Sequence, residues 1–277
     1  MATNTTSVRS SRSEVFRAVL PEEVSEILGV GFDEDSVEEL IEILRALDDP
    51  PRVRLLAAES VLKWLRSDFV LASTAADLIA AETLSVRTTD EPFENMLVVT
   101  DEEVVSVVPA GETVAGLVSD DSEFVDATRN RWASAWETGE EFGLRTPAHS
   151  QVADSLTAEF GADVESDFEE MVGALATTRS AESSLDEVDV SVLVAAKHEE
   201  MLYDVSKWGE RVGVASKATF SRAKNHLEER GLIETEKVPI DVGRPRQRLL
   251  LGDERLREAD AEELVSVATS LLSTTGS

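Results

Sequence analysis

The residues from Ser216 to His226 read Ser-Lys-Ala-Thr-Phe-Ser-Arg-Ala-Lys-Asn-His and contain no acid. On a helical wheel, Phe220, Ala223 and Leu227 fall within about 60° of one another, with Ser216 beside them as an N-cap. Ala218, Ser221, Arg222 and Asn225 lie opposite, flanked by Thr219 and His226. Arginine can hold guanine through two N–H groups, asparagine can grip adenine, and a residue as small as alanine lets a helix approach closely. Arg222 and Asn225 are therefore the candidate base readers, and Lys217, Lys224 and Ser221 the candidate phosphate anchors. A second acid-free stretch, Val242 to Leu251, carries Arg244, Arg246 and Arg248. Arginines on a loop between strands can enter a minor groove or grip a phosphate backbone.

The elements around these residues must present them. Val188 to Met201, Asp204 to Val212 and Ser216 to Arg230 read as three helices, the last closed by Gly231 as a C′ glycine. Ile233 to Val238 and Gln247 to Leu251 read as two strands around the Pro/Gly/Arg loop 239–247. Three helices followed by a hairpin is the order of a winged helix-turn-helix, with residues 216–230 as the recognition helix and 239–247 as the wing. A lone lysine or arginine on an exposed helix is usually just solvated, and His226 reads first as a surface histidine. The weight comes from the element order and the local loss of acids. Winged helices also serve as protein-binding modules of transcription or chromosome-maintenance complexes, and that alternative stays open.

Those 21 residues would carry about four acids at the average density of this chain, which has 56 acids, 26 bases and a net charge of −30 over 277 residues. Six lysines stand against 20 arginines. An acid-coated, lysine-poor surface is suited to molar salt, where the Debye length is about 3 Å and self-repulsion is screened. The acidic blocks, such as Asp101-Glu102-Glu103, read as a solvated surface rather than a metal site. Cysteine is absent, so disulfides and thiolate metal sites are excluded, and no apolar run approaches the roughly 18 residues of a membrane span. The expectation is a cytoplasmic protein with no membrane association.

Upstream, residues 1–12 are Ser/Thr-rich and expected to fray, and Ser13 to Leu28 reads as two short helices around Pro21. Ser36 to Leu47 follows as a helix, with Val37, Leu40, Ile41 and Leu44 at 3.6 spacing. After Pro50-Pro51 the pattern alternates. Val53 to Ala57 and Leu84 to Arg87 read as parallel strands across a helical crossover, and Met96 to Thr100, Val104 to Val108 and Thr113 to Val118 as hairpin strands. Asp121 to Glu137 reads as a helix, as do the stretch from Thr146 to Thr178, broken at Gly161, and Glu254 to Leu272. The expected organisation is a helical segment 1–50, an α/β effector domain 51–178, a winged helix 187–252 and a C-terminal helix 253–277 suited to dimerisation. The fold class is α+β, with an N-terminal helical and α/β region.

No catalytic signature is present. There is no Gly-rich phosphate loop, no Gly-x-Ser-x-Gly elbow and no His-x-x-x-His helix. Before residue 197 the only lysine is Lys63 and the only histidine His149. Neither a catalytic residue nor a metal or cofactor is expected. A small-molecule metabolite effector would sit near the C-terminal ends of the parallel strands, which points to Arg87, Thr88 and Thr100.

The run Ser216, Ala218, Thr219, Ser221, Arg222, Leu227, Glu228, Gly231, Leu232, Ile233 resembles the recognition helix and exit of prokaryotic winged-helix regulators. With Arg54-Leu-Leu-Ala-Ala-Glu-Ser-Val-Leu-Lys-Trp-Leu and Leu97-Val-Val-Thr-Asp-Glu-Glu, the whole chain resembles haloarchaeal TbsP-type regulators, and Arg52 to Trp136 is more distantly similar to TrmB-type effector domains. The resemblance implies a metabolic transcription regulator of sugar and central carbon genes; with the winged helix, the expectation is a homodimer that binds double-stranded DNA. In TrmB-like chains the DNA-binding module comes first, whereas here it comes last.

Overall fold

Short apolar runs alternating with amphipathic helices build two units, Met1–Ala148 and His149–Ser277. The computed structural model describes residues 6–9, 12–19, 26–110, 113–177, 185–239 and 245–274. The first unit contains β1 (Thr6–Arg9), α1 (Arg12–Val19), β2 (Glu26–Val30), α2 (Glu34–Ala46), β3 (Arg52–Leu56), α3 (Glu59–Ser67) and α4 (Phe69–Ala80). It continues with β4 (Leu84–Thr88), β5 (Met96–Val99), β6 (Val104–Ala110), β7 (Thr113–Ser119), α5 (Ser122–Thr138) and β8 (Glu140–Glu141). Its eight strands form one sheet in the order β1-β7-β6-β5-β2-β3-β4-β8.

The centre of that sheet is parallel and its flanks antiparallel. Strands β2, β3 and β4 run together through helical crossovers, and Val53 stands opposite Leu84 as expected. Strands β5, β6 and β7 form an antiparallel meander beside β2. Asp33 caps α2 by accepting from the Ser36 amide at 2.9 Å, and Val37, Leu40, Ile41 and Leu44 turn inward. They join residues of α1, α3 and α4 in a core on one sheet face that includes Ile27, Val53, Leu55, Val98 and Val105. The opposite face holds a smaller core, where Val125, Trp132, Ala135 and Trp136 of α5 pack on Leu28, Val30, Leu56, Val99 and Val104. The result is an α/β layer structure with most helices on one side.

Two N-terminal expectations change. Residues 26–28, expected to end a helix, instead open the central strand β2. The run Ile-Leu-Gly-Val is apolar on both sides of the pleat: Ile27 enters one core while Leu28 and Val30 enter the other. A run buried on both faces carries no period that separates strand from helix. The expected frayed start instead contributes Thr6–Arg9, which pair antiparallel with β7.

The second unit contains α6 (His149–Phe160), α7 (Ala162–Thr177), α8 (Glu187–Lys197), α9 (Leu202–Val212), α10 (Lys217–Glu229), β9 (Ile233–Val238), β10 (Arg246–Leu251), α11 (Glu254–Glu258) and α12 (Ala261–Thr274). Helix α8 is its axis, with every residue from Val188 to Ala196 buried. Helices α7 and α10 and strand β10 pack around it, and α12 packs on α7. Residues 149–177 therefore fall with the C-terminal unit, not with the α/β region where they were expected. The stretch Glu254 to Leu272, expected as one helix, breaks at Ala259, whose backbone is extended. The Asp186 side chain accepts from the amides of Val188 and Asp189 at 2.9 Å, and the Asp189 carboxylate accepts from the Asp186 amide at 3.2 Å. This capping box is buried at Asp189, which is 6% exposed; burial, with the nearby Asp186 charge second, pushes its carboxyl up to about 7.

Candidate nucleic-acid interface

Helix α10 is fixed at both ends and along its inner face. Ser216 caps it, its hydroxyl accepting from the Thr219 amide at 3.2 Å. Gly231 closes it at φ +73°, a left-handed conformation that glycine adopts without steric cost. Phe220 and Leu227 are fully buried, with Ala223 half-buried beside them. Trp208 and Leu232, both expected as their neighbours, are buried too, and Val212 is half-buried. Gly209 of α9 faces the Phe220 ring so closely that a Cβ there would lie under 3.0 Å from ring carbons, nearer than real Cβ atoms come. Glycine at 209 is what lets the two helices of the motif meet over a large aromatic side chain. Trp208 is held in turn, its indole N–H donating to Ser155 Oγ at 2.9 Å between the edges of Phe160 and Phe168.

The opposite face of α10 is open. Ser216, Lys217, Ala218, Ser221, Arg222 and Asn225 are exposed, and Thr219 and His226 are half-buried at its margins. Arg222 folds along its own helix, with Nη2 3.2 Å from Thr219 Oγ1 and Nε 3.4 Å from the Ala218 carbonyl. No acid enters that face. Lys217 sits at its rim and reaches Glu210 of α9 at 2.8 Å. That hydrogen bond raises the lysine pKa and lowers the glutamate one, yet both groups are open to solvent, and a screened exposed pair is readily exchanged for another anion.

Lys224 is a correction. Expected as a phosphate anchor, it is 7% exposed and donates to Glu228 Oε2 at 2.8 Å. Glu228 Oε1 accepts in addition from Thr235 Oγ1 of β9 at 2.7 Å, and these two bonds, Lys224 first, lower the Glu228 pKa. Lys224 and Glu228 thus tie α10 to β9. Leaving that site would strand a carboxylate.

The wing arginines are also anchored more firmly than a free tip would be. Arg246 opens β10 at the root of the wing, not at its tip. Its Nη1 donates to both Asp204 carboxylate oxygens at 3.1 and 3.2 Å, and its guanidinium stacks 4.4 Å from the centre of the Tyr203 ring. Arg248 faces Glu236 across the hairpin at 3.5 Å. Arg244 and the loop 240–244 lie outside the described residues. Sequence reasoning missed Tyr203 and Lys207, which are exposed on α9; an aromatic left unburied in the first turn of a motif helix was the available signal.

The three residues expected to bind an effector have structural occupations. Arg87 donates to the Trp136 carbonyl at 2.7 Å and stacks over the Trp136 ring. The buried Thr100 hydroxyl closes a turn by accepting from the Glu103 amide at 3.0 Å. Thr88 pairs with Glu140 at the sheet edge. A cavity of about 560 Å³ lies elsewhere in the unit, between α5 and the outer face of β5, β6 and β7.

Among known proteins, residues 4–147 match the family model described as transcriptional regulator TbsP-like, N-terminal, and residues 148–269 the one described as transcriptional regulator TbsP-like, C-terminal HTH domain. The boundary between them falls within one residue of the one at which the structure divides. No curated protein matches the chain. Solved structures that resemble part of the chain include two at low scores. One is TrmBL2, described as an archaeal chromatin protein with a novel mode of DNA binding, at 20% identity over 50% of this chain and 54% of that one, TM-score 0.37. The other is Nuc, a phospholipase D family member from Salmonella typhimurium, at 11% identity over 51% of this chain and 99% of that one, TM-score 0.38. At such scores neither likeness speaks to the chemistry of this chain.

Proposed function

Since this chain belongs to the TbsP-like transcriptional regulators, with a helix-turn-helix domain at its C-terminus, we propose that it reads duplex DNA by laying α10 in the major groove. Arg222 and Asn225 contact base edges, and Ala218 sets the close approach. Ser216, Lys217 and Ser221 hold phosphates, with Thr219 and His226 at the margin of the contact. The wing follows the adjacent backbone, with Arg246 and Arg248 exchanging their intramolecular carboxylates for phosphates. The observation that carries this reading is the acid-free exposed face of α10, rigidly backed by Phe220 against Gly209, on a chain of net charge −30.

The finer parts of the reading follow from the same features. The acidic surface fits a halophilic cell, where counterion release is weak and base contacts and shape must supply more of the affinity than phosphate attraction does. Two copies would place two recognition helices about 34 Å apart on a pseudo-palindrome. The regulated genes are metabolic, in sugar and central carbon use, and a small-molecule effector acts through residues 1–148.

The test is binding to genomic fragments in molar KCl. Arg222→Ala should weaken the specific complex by ~1–3 kcal/mol and relax one base position. Unchanged operator affinity in that variant overturns the face assignment. No retardation of any fragment by the unmodified protein would favour the rival reading, a winged helix that binds another protein.

A further inference from the structure

Helix α5 covers only part of its side of the sheet. It packs over β2, β3, β5 and the start of β6, while farther along β6 and β7 Ser106, Leu117 and Ser119 face the same side beyond its packed face. The space left is the cavity of about 560 Å³, floored by those residues with Leu97 and Val104, and walled by Phe124, Thr128, Arg131 and Trp132.

Its lining is unlike the rest of the protein. One residue in five of this chain is an acid, yet among the described residues that line the cavity there is none, and Arg131 is the one charged group. Arg131 is held in place by stacking: its guanidinium lies 4.9 Å from the centre of the Trp132 ring, and Phe93 stacks on that indole at 5.8 Å. Its acidic neighbour, Glu91, forms an exposed ion pair with it at 3.7 Å, longer than a hydrogen bond and readily exchanged for another anion. Ser106, Ser119, Thr128 and Asn95 make no side-chain hydrogen bonds among the described residues, so their polar atoms are available. At the other end Phe124 is 51% exposed and Leu117 47%, an unusual exposure for large apolar side chains placed side by side. Phe124 and Arg131 lie seven positions apart on α5, which at the helical rise is about 10 Å.

We propose that this cleft binds a small amphipathic organic anion, with a carboxylate or phosphate head at Arg131 and Asn95 and an apolar body over Leu117 and Phe124. Ser106, Ser119 and Thr128 meet polar groups between the two ends. The volume is that of a metabolite site, in the range of about 300–1,000 Å³. The apolar exposure is too local for a second copy of the chain, since a stable interface covers about 800 Å² on each partner. The site does not depend on the DNA-binding reading, and it lies apart from Arg87, Thr88 and Thr100.

The test uses the full chain in molar KCl, titrated calorimetrically with hexyl phosphate, hexanol and inorganic phosphate. Hexyl phosphate should bind one per chain, and hexanol and phosphate at least about tenfold more weakly. Arg131→Met should weaken hexyl phosphate by about tenfold or more and Asn95→Ala by less, while Leu117→Asn should weaken it several-fold; all three side chains are solvent-accessible, so the variants should fold. Absence of saturable binding, or binding indifferent to Arg131→Met, overturns the proposal. So does a Leu117→Asn variant that binds hexyl phosphate unchanged but sediments as a smaller species, because the face would then be a contact between copies.

Discussion

Replacing Asp189 by asparagine should stabilise the protein at alkaline pH and do much less at pH 5. The carboxyl sits in the buried capping box of α8 with its pKa raised from 3.8 to about 7. In the unfolded chain it is ionised above about pH 4, whereas the folded protein keeps its proton until pH rises past about 7. Between those values the folded state binds the extra proton, so stability falls as pH rises, by about 1.4 kcal/mol per pH unit. From pH 5 to pH 7 that amounts to roughly 3 kcal/mol. Asparagine keeps an oxygen to accept from the Asp186 amide but carries no charge to desolvate, and it is not repelled by Asp186 or Glu187. The difference in stability between Asp189→Asn and the unmodified protein should therefore grow by roughly 3 kcal/mol between pH 5 and pH 8, or on the order of 10 °C in Tm for a unit of this size. Thermal unfolding followed by circular dichroism in molar KCl at both pH values measures it, and comparing the two proteins cancels the titration of every other group. Equal Tm differences at pH 5 and pH 8 would refute the claim that the fold holds this carboxyl protonated.

Gly209→Ala should cost ~1–3 kcal/mol, since its methyl group enters the Phe220 ring, and chemical denaturation should show it. DNA binding should fall with it even though Gly209 faces away from the proposed groove contact. Lys224→Met should leave the half-exposed Glu228 beside Thr235 without its cation; stability should drop by ~1 kcal/mol, while the salt dependence of DNA binding stays as it was, the opposite of what a phosphate anchor would give. Dialysis from molar KCl into dilute buffer should lower Tm, and an unchanged Tm would sink the salt-adaptation reading of the −30 charge.

Much of the architecture was legible because one face of each element is buried. Val37, Leu40, Ile41 and Leu44 repeat at the helical period because only one side of α2 meets the sheet, and Ser216 and Gly231 mark the ends of α10 by the chemistry of caps. β2 was illegible for the converse reason, being buried from both sides. Lys224 could have been read correctly: on the wheel it lies only about 40° from Phe220, and Glu228 stands four residues on, the spacing of a helical ion pair. Its charge drew attention from its position. The cleft gave no such signal. Arg131 is one of several arginines in the first unit, and nothing local tells it from Arg129, which pairs with Asp101. What makes Arg131 a cleft residue is the register that brings Ser106 opposite Leu117 and the reach of α5 over β5, both properties of the assembled sheet.

The pairing of Thr6–Arg9 with Val114–Leu117 sets an order of events during synthesis. Strand β1 leaves the ribosome about a hundred residues ahead of its partner, which at 5–20 residues per second is on the order of 5–20 s of waiting. Until then the growing β2–β7 sheet presents β7 as an open margin, able to accept any extended segment, including the same strand of a neighbouring nascent chain. Strand β1 therefore works as a late seal on the first unit, and anything fused immediately ahead of Thr6 would be carried to that margin and would slow its closure.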